Sequence, residues 1–467
     1  MTAHAPQHPV TRDLAAFCEG ITWESLPSAV QAHIKLCILD TLGCALHGST
    51  VPWGRTLLEF AAGGDGGSGA EATLIGDGRK VPAHAAALAN GTLSHSFEMD
   101  DLHKQGVIHP GSNVIPAVLA LAERMGGVSG KEFLAAVAAG YEAGCRVGAA
   151  TGAIQLKKGF HPSATSGAVA AGAGAARVAR LTGETYLHAV GIAGTQASGL
   201  MAAQYNSYVK RMHSGRSAES GVYGALLARR GLTGIQDLLE APYGGFCTTM
   251  AEGSDPMRVI QDLGTVWEIL AVGFKPYSCC GSNHTTIDAL EQLQAELPGL
   301  NGETVEQVTV QCTRTSLLHV GWPYKPESIT SAQMNLPYAA AVQLQDGQAF
   351  VDQYTAERIR RPDTVALAGR IRVVETDEFN HLGSAGRHGV RVSVRLKDGR
   401  RGERVVIHAK GSSHFPLRPE QVRAKFTQLA GKVLDTGQVL ALEQAVLRLE
   451  EISDISALAE LLHPQAR

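Results

Sequence analysis

Aromatic side chains make up only 5% of this 467-residue chain and charged ones only 18%, whereas glycine alone takes 53 positions. With so few large rings, helices have to pack closely through small side chains. The formal net charge is −3 and no block of Lys and Arg is present, so nothing offers an electrostatic footprint for nucleic acid. Eight cysteines (Cys18, Cys37, Cys44, Cys145, Cys247, Cys279, Cys280, Cys312) are too sparse and irregular for a secreted disulfide framework, which points to a reducing, cytoplasmic setting. Residues 1–11 lack a basic patch followed by an apolar core, so no signal peptide is expected. The most apolar stretches, residues 133–150 and 163–176, are soon broken by Glu142, Arg146 and Arg177, and read as buried helices, not membrane spans.

Cofactor signatures are missing too. There is no His-Glu-x-x-His and no Cys-x-x-Cys, and the adjacent pair Cys279-Cys280 does not suit a cluster that needs separated thiolates. No Gly-x-Gly-x-x-Gly follows a strand, and the Gly-rich loop at residues 63–69 lacks the Gly-Lys-Ser/Thr ending of a nucleotide cradle. Lys210 and Lys275 have no phosphate-binding loop beside them that would suit pyridoxal chemistry. Asp100, Asp101 and His103 could hold a hard divalent ion, but without a dedicated oxygen-ligand pattern. The expectation is an enzyme with no metal and no cofactor.

What the chain does have is helical periodicity. Val30, Ile34, Ile38, Leu42 and Leu46 recur every four residues between Pro27 and Gly48, and similar spacing runs through residues 113–125 and 131–150. Residues 163–181 are so rich in Ala and Gly that only close helix contact would explain them. After Pro276 the period changes: Val305, Val308, Val310 and Cys312 form a β-type run, and Val390, Val392, Val394 and Leu396 alternate up to Lys397-Asp398-Gly399-Arg400, a hairpin signal. Helical stripes return at Pro419. The fold class expected is mainly α with an α/β lid: a helical domain over residues 1–270, rejoined by 412–467, and a smaller α/β lid over 271–411.

The chemistry is concentrated in residues 94–111, where His95, His103 and His109 bracket Glu98, Asp100 and Asp101. Solvated helices also carry acid clusters, but they usually interleave Lys and Arg and rarely add histidines at both ends. Four further segments place a base or a cation beside Gly, Pro or Ser: residues 159–163 with His161, 210–216 with Lys210 and His213, 274–280 with Lys275, and 281–284 with His284. Singly, each could be a solvated cation or a cap. Together they suit a small polycarboxylate, whose carboxylates the cations bind while a histidine moves a proton.

These residues resemble the MmgE/PrpD family, which contains cluster-independent 2-methylcitrate dehydratase, cis-aconitate decarboxylase and iminodisuccinate epimerase. The matching stretches are Leu39-Asp40-Thr41-Leu42-Gly43, Asn90-Gly91 through Asp100-Asp101 and His109-Pro110-Gly111, Gly140-Tyr141-Glu142, Phe160-His161-Pro162, Lys210-Arg211-Met212-His213-Ser214-Gly215 and Phe274-Lys275-Pro276-Tyr277. The resemblance implies a site in the cleft between a helical domain and its lid, and a homodimer. It places the decarboxylase branch's site at Glu98, Leu102, His109, His161, Lys210 and Lys275. Glu98 replaces an aspartate of that branch and Leu102 a threonine, and Leu317-Leu318-His319 offers no tyrosine where that branch has one.

On this resemblance His109 is the expected base and His161 the acid on the opposite face, with Lys210 and Lys275 pairing with substrate carboxylates as negative charge develops. Asp101 and Glu98 would orient the histidines, and His213 would support Lys210. Tyr277 and Cys280 complete the expected substrate-binding set. The reading that follows is a lyase of a small di- or tricarboxylic acid, with loss of water foremost. The alternatives are an epimerase or racemase of a substituted dicarboxylate, a decarboxylase of cis-aconitate type, or a catalytically dead carboxylate-binding protein.

Overall fold

The computed structural model describes residues 9–205, 207–383 and 385–465. The first apolar stripe forms α1 (Ser28–Thr50), with Pro27 at the N-cap. α1 is long and apolar enough to cross a membrane, yet Ile34, Ile38, Leu42 and Leu46 are all packed inside the helical domain. The helices that build the site follow as α2 (Ala83–Ser94), α3 (Pro110–Met125), α4 (Gly130–Lys157), α5 (Pro162–Val178), α6 (Gly183–Gly194) and α7 (Val209–Ala228). α4 runs on to Lys157, past residue 150 where the apolar spacing read from the sequence stops. Gly148 and Gly152 press against the backbone of Gly106, so they serve close contact, not termination.

The shortage of large side chains is met by this kind of contact. A Cβ on Gly144 would come within 2.5 Å of the Ala170 Cβ, and one on Gly215 within 2.1 Å of the Leu88 carbonyl oxygen. The second contact matters most here, because it brings α7, which carries Lys210, hard against α2, which leads into the acidic loop.

The lid comprises α8 (Gly281–Glu296), β1 (Val305–Cys312), α9 (Arg314–Val320), α10 (Leu336–Asp346), β2 (Ile371–Glu375), β3 (Val390–Leu396) and β4 (Arg401–Val406). Its four-stranded sheet has the order β2-β1-β3-β4. β1 and β2 run parallel, from Val308 opposite Ile371 to Cys312 opposite Glu375, and the other pairs are antiparallel. A parallel pair needs a crossover, which α9 and α10 supply. The β3–β4 hairpin turns at Asp398-Gly399, with Gly399 at φ +89°. Leu290, Leu293, Leu336 and Leu344 of α8 and α10 pack with Val308, Val310, Val392 and Val394 of the sheet.

The chain then returns to the helical domain as α11 (Pro419–Ala430) and α12 (Thr436–Leu447), with Phe426 lying over Gly43 of α1. One apolar core thus draws on residues from Val10 to Phe274 and from Leu417 to Leu462, and another on residues from Cys280 to Val406. A third cluster, including Phe97, Met99, Tyr277, Cys279 and Leu429, spans the seam between them. The acidic loop lies on that seam. Its Leu102–His103 pair is antiparallel to Val272–Gly273, where the chain leaves for the lid.

Candidate active site

His109 and His161 occupy the same position on two different helices. Each is an N-cap residue followed by a proline at the first helical position, Pro110 in α3 and Pro162 in α5. A residue before proline is kept out of the helical region, and proline's fixed φ suits the first turn, so both histidines are turned off the helix ends. The two ends are locked together, since the His109 N–H donates to Ser163 Oγ at 2.9 Å. Both rings line one cleft, with Glu98, Lys210, Lys275 and Cys280.

The histidines have different supports. His109 Nδ1 donates to the Asp101 carbonyl oxygen at 2.7 Å, which fixes the neutral tautomer with its lone pair on Nε2. Asp100 Oδ2 lies 3.5 Å from the same Nδ1 and accepts from His95 Nδ1 at 2.7 Å. Burial brings the His109 pKa down to about 3 against the opposing pull of Asp100. Asp100 is itself held well below the usual carboxylate range, because His109 and His95 outweigh the cost of its burial. His161 shares a hydrogen bond with His213 through their Nδ1 atoms at 3.0 Å. Burial, with Lys210 and His95 nearby, keeps His161 well below its ordinary pKa. The His95 ring sits between the other two, 4.8 Å from His109 and 5.6 Å from His161 by centroids.

Beside the histidines, one carboxylate holds three cations. Glu98 pairs with Lys210 and Arg211 of α7 and with Lys275 Nζ at 3.1 Å, leaving two positive charges in excess over the four groups. Burial alone would raise the Glu98 pKa, but Lys210, Lys275 and Arg211 together force it well below normal. One carboxylate cannot offset the burial of every partner equally. Lys210 is therefore lowered, by burial and by Arg211 against Glu98, whereas for Lys275 the charges of Glu98 and Asp100 overcome burial and raise it. The loop is gripped from the lid: Ser278 Oγ and Gln333 Nε2 both donate to the Phe97 carbonyl at 2.9 Å. Glu98 itself has φ 57°, a conformation that non-glycine residues seldom adopt and that structures retain mainly at working sites.

On the lid side, Cys280 caps α8 with its sulfur 4.0 Å from His319 Nδ1. Burial would raise this thiol, but His319 brings it down to about 7. Arg387 and His388 complete that wall.

The MmgE/PrpD N-terminal domain model matches residues 12–258 and the MmgE/PrpD C-terminal domain model residues 277–451. The chain belongs to the MmgE/PrpD family. Among its relatives is a cis-aconitate decarboxylase-like protein of Aspergillus oryzae, 34% identical over 99% of both chains. A cis-aconitate decarboxylase of Aspergillus terreus is 34% identical over 97% of this chain and 96% of its own, and the human cis-aconitate decarboxylase 28% identical over 97% and 94%.

In this MmgE/PrpD chain, the expected residues divide into three groups. His109, His161, Lys210, Glu98, Lys275 and Cys280 all reach the cleft. Asp101 and His213 lie behind it. The Asp101 carboxylate accepts from Tyr141 Oη at 2.7 Å and from the Gly111 N–H at 3.0 Å, so it is the carbonyl of this residue that orients His109. His213 meets His161, not Lys210 as expected. Tyr277 is a correction: its hydroxyl donates to Asp288 Oδ1 of α8 at 2.6 Å, and the ring belongs to the seam cluster and does not line the cleft. A close trio of metal-type donors does exist, but it is His95, Asp100 and His109; His103 instead faces Glu268. Nδ1 of His95 already binds Asp100, and Nδ1 of His109 the Asp101 carbonyl.

His95, Asp100 and Arg211 all stood inside the segments the sequence singles out, but it gave none of them a part in the proton chemistry or the carboxylate clamp. Arg387 and His388 were not considered, yet they carry the same signal of cations beside glycine, here Gly386 and Gly389.

Proposed function

We propose that this chain is a cofactor-independent lyase of a small tricarboxylic acid, with His109 and His161 as its proton-transfer groups and Lys210 and Lys275 as its carboxylate clamp. The observation that carries this reading is the pair of neutral, buried histidines at two helix N-termini, opening on a cleft with a surplus of positive charge. Neutral His109 can accept a proton at Nε2, and the imidazolium that forms would be stabilised by the Asp101 carbonyl and the Asp100 carboxylate behind Nδ1. Lys210 and Lys275 would bind the carboxylate next to the reacting carbon and stabilise negative charge as it develops.

Within that class, the relatives favour decarboxylation of cis-aconitate type over the dehydration that led the sequence reading. In decarboxylation, the bond to the departing carboxylate breaks, its electron pair shifts through the neighbouring double bond, and one proton is delivered to the far alkene carbon. Dehydration removes one proton beside a carboxylate and delivers one to the leaving hydroxyl. Leu102 and Glu98 in the cleft wall, at positions where the resemblance implies Thr and Asp in the decarboxylase branch, keep dehydration as the second reading.

Incubation of the purified protein with cis-aconitate, 2-methylcitrate and amino-dicarboxylic acids in heavy water separates the possibilities. Release of carbon dioxide from cis-aconitate is the expected outcome, and loss of water from a hydroxy acid would establish the second reading. Deuterium uptake with neither loss would replace the lyase by an epimerase. Binding without any exchange would leave only a carboxylate-binding protein.

All eight cysteines are unpaired, which supports a reducing, cytoplasmic setting. Leu200, Tyr205, Tyr208, Val209, Tyr223 and Leu227 are exposed on and just before α7, and we propose that they form a homodimer face. Sedimentation equilibrium at micromolar concentration should give twice the chain mass, and a monomer there would refute the dimer.

A further inference from the structure

The lid wall of the cleft holds cationic and polar groups that the proposed chemistry does not use. Arg387 lines the cleft, and its guanidinium donates from Nε to His388 Nε2 at 3.1 Å and from Nη2 to the Lys104 carbonyl at 3.4 Å. Among the described residues Arg387 has no carboxylate partner, and its Nη1 has no acceptor. Arg387 is only half-buried, so the unpaired edge of its guanidinium is open to the cleft, where its fixed fork of donors is matched to a carboxylate that enters. His319 is in a similar state: Nδ1 lies 3.5 Å from Ser282 Oγ, and its buried Nε2 has no protein partner. No side chain caps the first turn of α8, which faces the same space through Gly281 and Ser282.

This wall is held in place. The Arg387 carbonyl accepts from Thr313 Oγ1 at 2.9 Å and from Ser316 Oγ at 2.8 Å, and the His388 carbonyl from Thr285 Oγ1 at 2.7 Å. On either side, Gly386 and Gly389 press so closely on Phe379 that an added Cβ would lie 2.3 Å and 2.7 Å from it. An arginine fixed this firmly without a counter-ion is shaped for an anion that arrives from solution.

We propose that Arg387, His319 and the first turn of α8 form a second carboxylate subsite. One substrate carboxylate then lies against Lys210 and Lys275, and another against the lid. Cys280, the N-cap residue of α8, lines the same cleft. The inference rests on the reading of the cleft as a polycarboxylate site, and it makes a distal carboxylate a requirement for tight binding. Monocarboxylates would fill only the lysine end.

The test is binding of tricarballylate (propane-1,2,3-tricarboxylate) and of butyrate to the full chain, by calorimetry and ligand-observed NMR. The native protein should bind tricarballylate at least tenfold more tightly than butyrate. Arg387→Gln should lose at least tenfold for tricarballylate and change little for butyrate, with an unchanged melting midpoint, and Arg387→Lys should fall between. Should Arg387→Gln fail to fold, His319→Gln carries the test, with an expected loss of about threefold or more for tricarballylate alone. Native-like tricarballylate affinity in the tested variant, or an equal loss for both acids, overturns the subsite while leaving the lyase reading in place. If the native protein binds neither acid, both fall.

Discussion

On the helical-domain side of the cleft Glu98, Asp100 and the groups around them have protein partners; on the lid side, among the described residues, Arg387 and His319 keep atoms that have none. Glu98 is shared by Lys210, Arg211 and Lys275, and Asp100 by His95 and His109, all of them buried. Across the cleft, among the described residues, Arg387 has two neutral acceptors and no carboxylate, and His319 Nε2 has no partner. A saturated wall holds its geometry whether or not substrate is present, as proton transfer over a hydrogen-bond length requires. An unsaturated wall gains partners only when a ligand supplies them, so it contributes to selection. The comparison assigns proton transfer and the first carboxylate to the helical side, and selection through a second carboxylate to the lid.

The largest expected effect comes from breaking the chemical wall alone. His109→Gln keeps the ring's approximate volume and a donor for the Asp101 carbonyl but removes the basic nitrogen. Turnover should fall by about 10³-fold, within the range expected for losing a positioned acid-base group, while KM for the substrate changes little. Stopped assays on protein with a native melting midpoint would check this. A loss confined to KM would move His109 from proton transfer to binding, and the division between the walls would fail.

The helical wall should also respond to pH in a definite direction. His109 and His213 have folded values near 3 and 4 against an ordinary 6.5, so the unfolded chain takes up their protons first as pH falls. Their contribution to stability is complete above pH 6.5 and declines as pH drops toward the folded values, by about 2 kcal/mol per histidine between pH 6.5 and 5. Glu98 acts in the same sense lower down. Its folded pKa is depressed, so its contribution is present above 4.5 and lost as pH falls below it. Asp101 opposes them: burial raises its pKa, and its contribution diminishes as pH rises through 3.8. Urea midpoints at pH 7.5 and 5.0 should differ accordingly, and kcat/KM should show no acid limb near pH 6.5 from the free enzyme's His109. A limb at that pH would mean a solvated ring.

Much of this contrast could be read from the sequence, but unevenly. Helix periodicity found α1 and the Asp-Gly turn found the β3–β4 hairpin, because both are local signals. The His-Pro pairs marked element ends, and both ends do converge. What was not legible was who faces whom. His213 meets His161 and not Lys210, since contacts across 52 residues depend on how α5 and α7 pack, and that packing draws on Gly221, pressed against Ala171, whose role is visible only against its neighbour. Arg387 was missed for a related reason. Its significance is the lack of a partner, and no spacing rule reports a missing contact.

Tyr277 provides the smallest and sharpest check, because it lies next to Pro276 in a cleft-forming segment yet points the other way. Its hydroxyl donates to Asp288 Oδ1 at 2.6 Å and lies 3.3 Å from Glu291 Oε2, and Asp288 retains the Lys410 N–H at 2.7 Å when the phenol is removed. Tyr277→Phe therefore leaves the aromatic packing of the seam and one bond to Asp288 intact, and should cost about 1 kcal/mol of stability. Neither kcat nor KM should move by more than about twofold, since the lost group touches neither wall of the cleft. A tenfold loss of turnover at an unchanged melting midpoint would return the tyrosine to the substrate, and would require the lid to rotate α8 during catalysis so that its hydroxyl could leave Asp288.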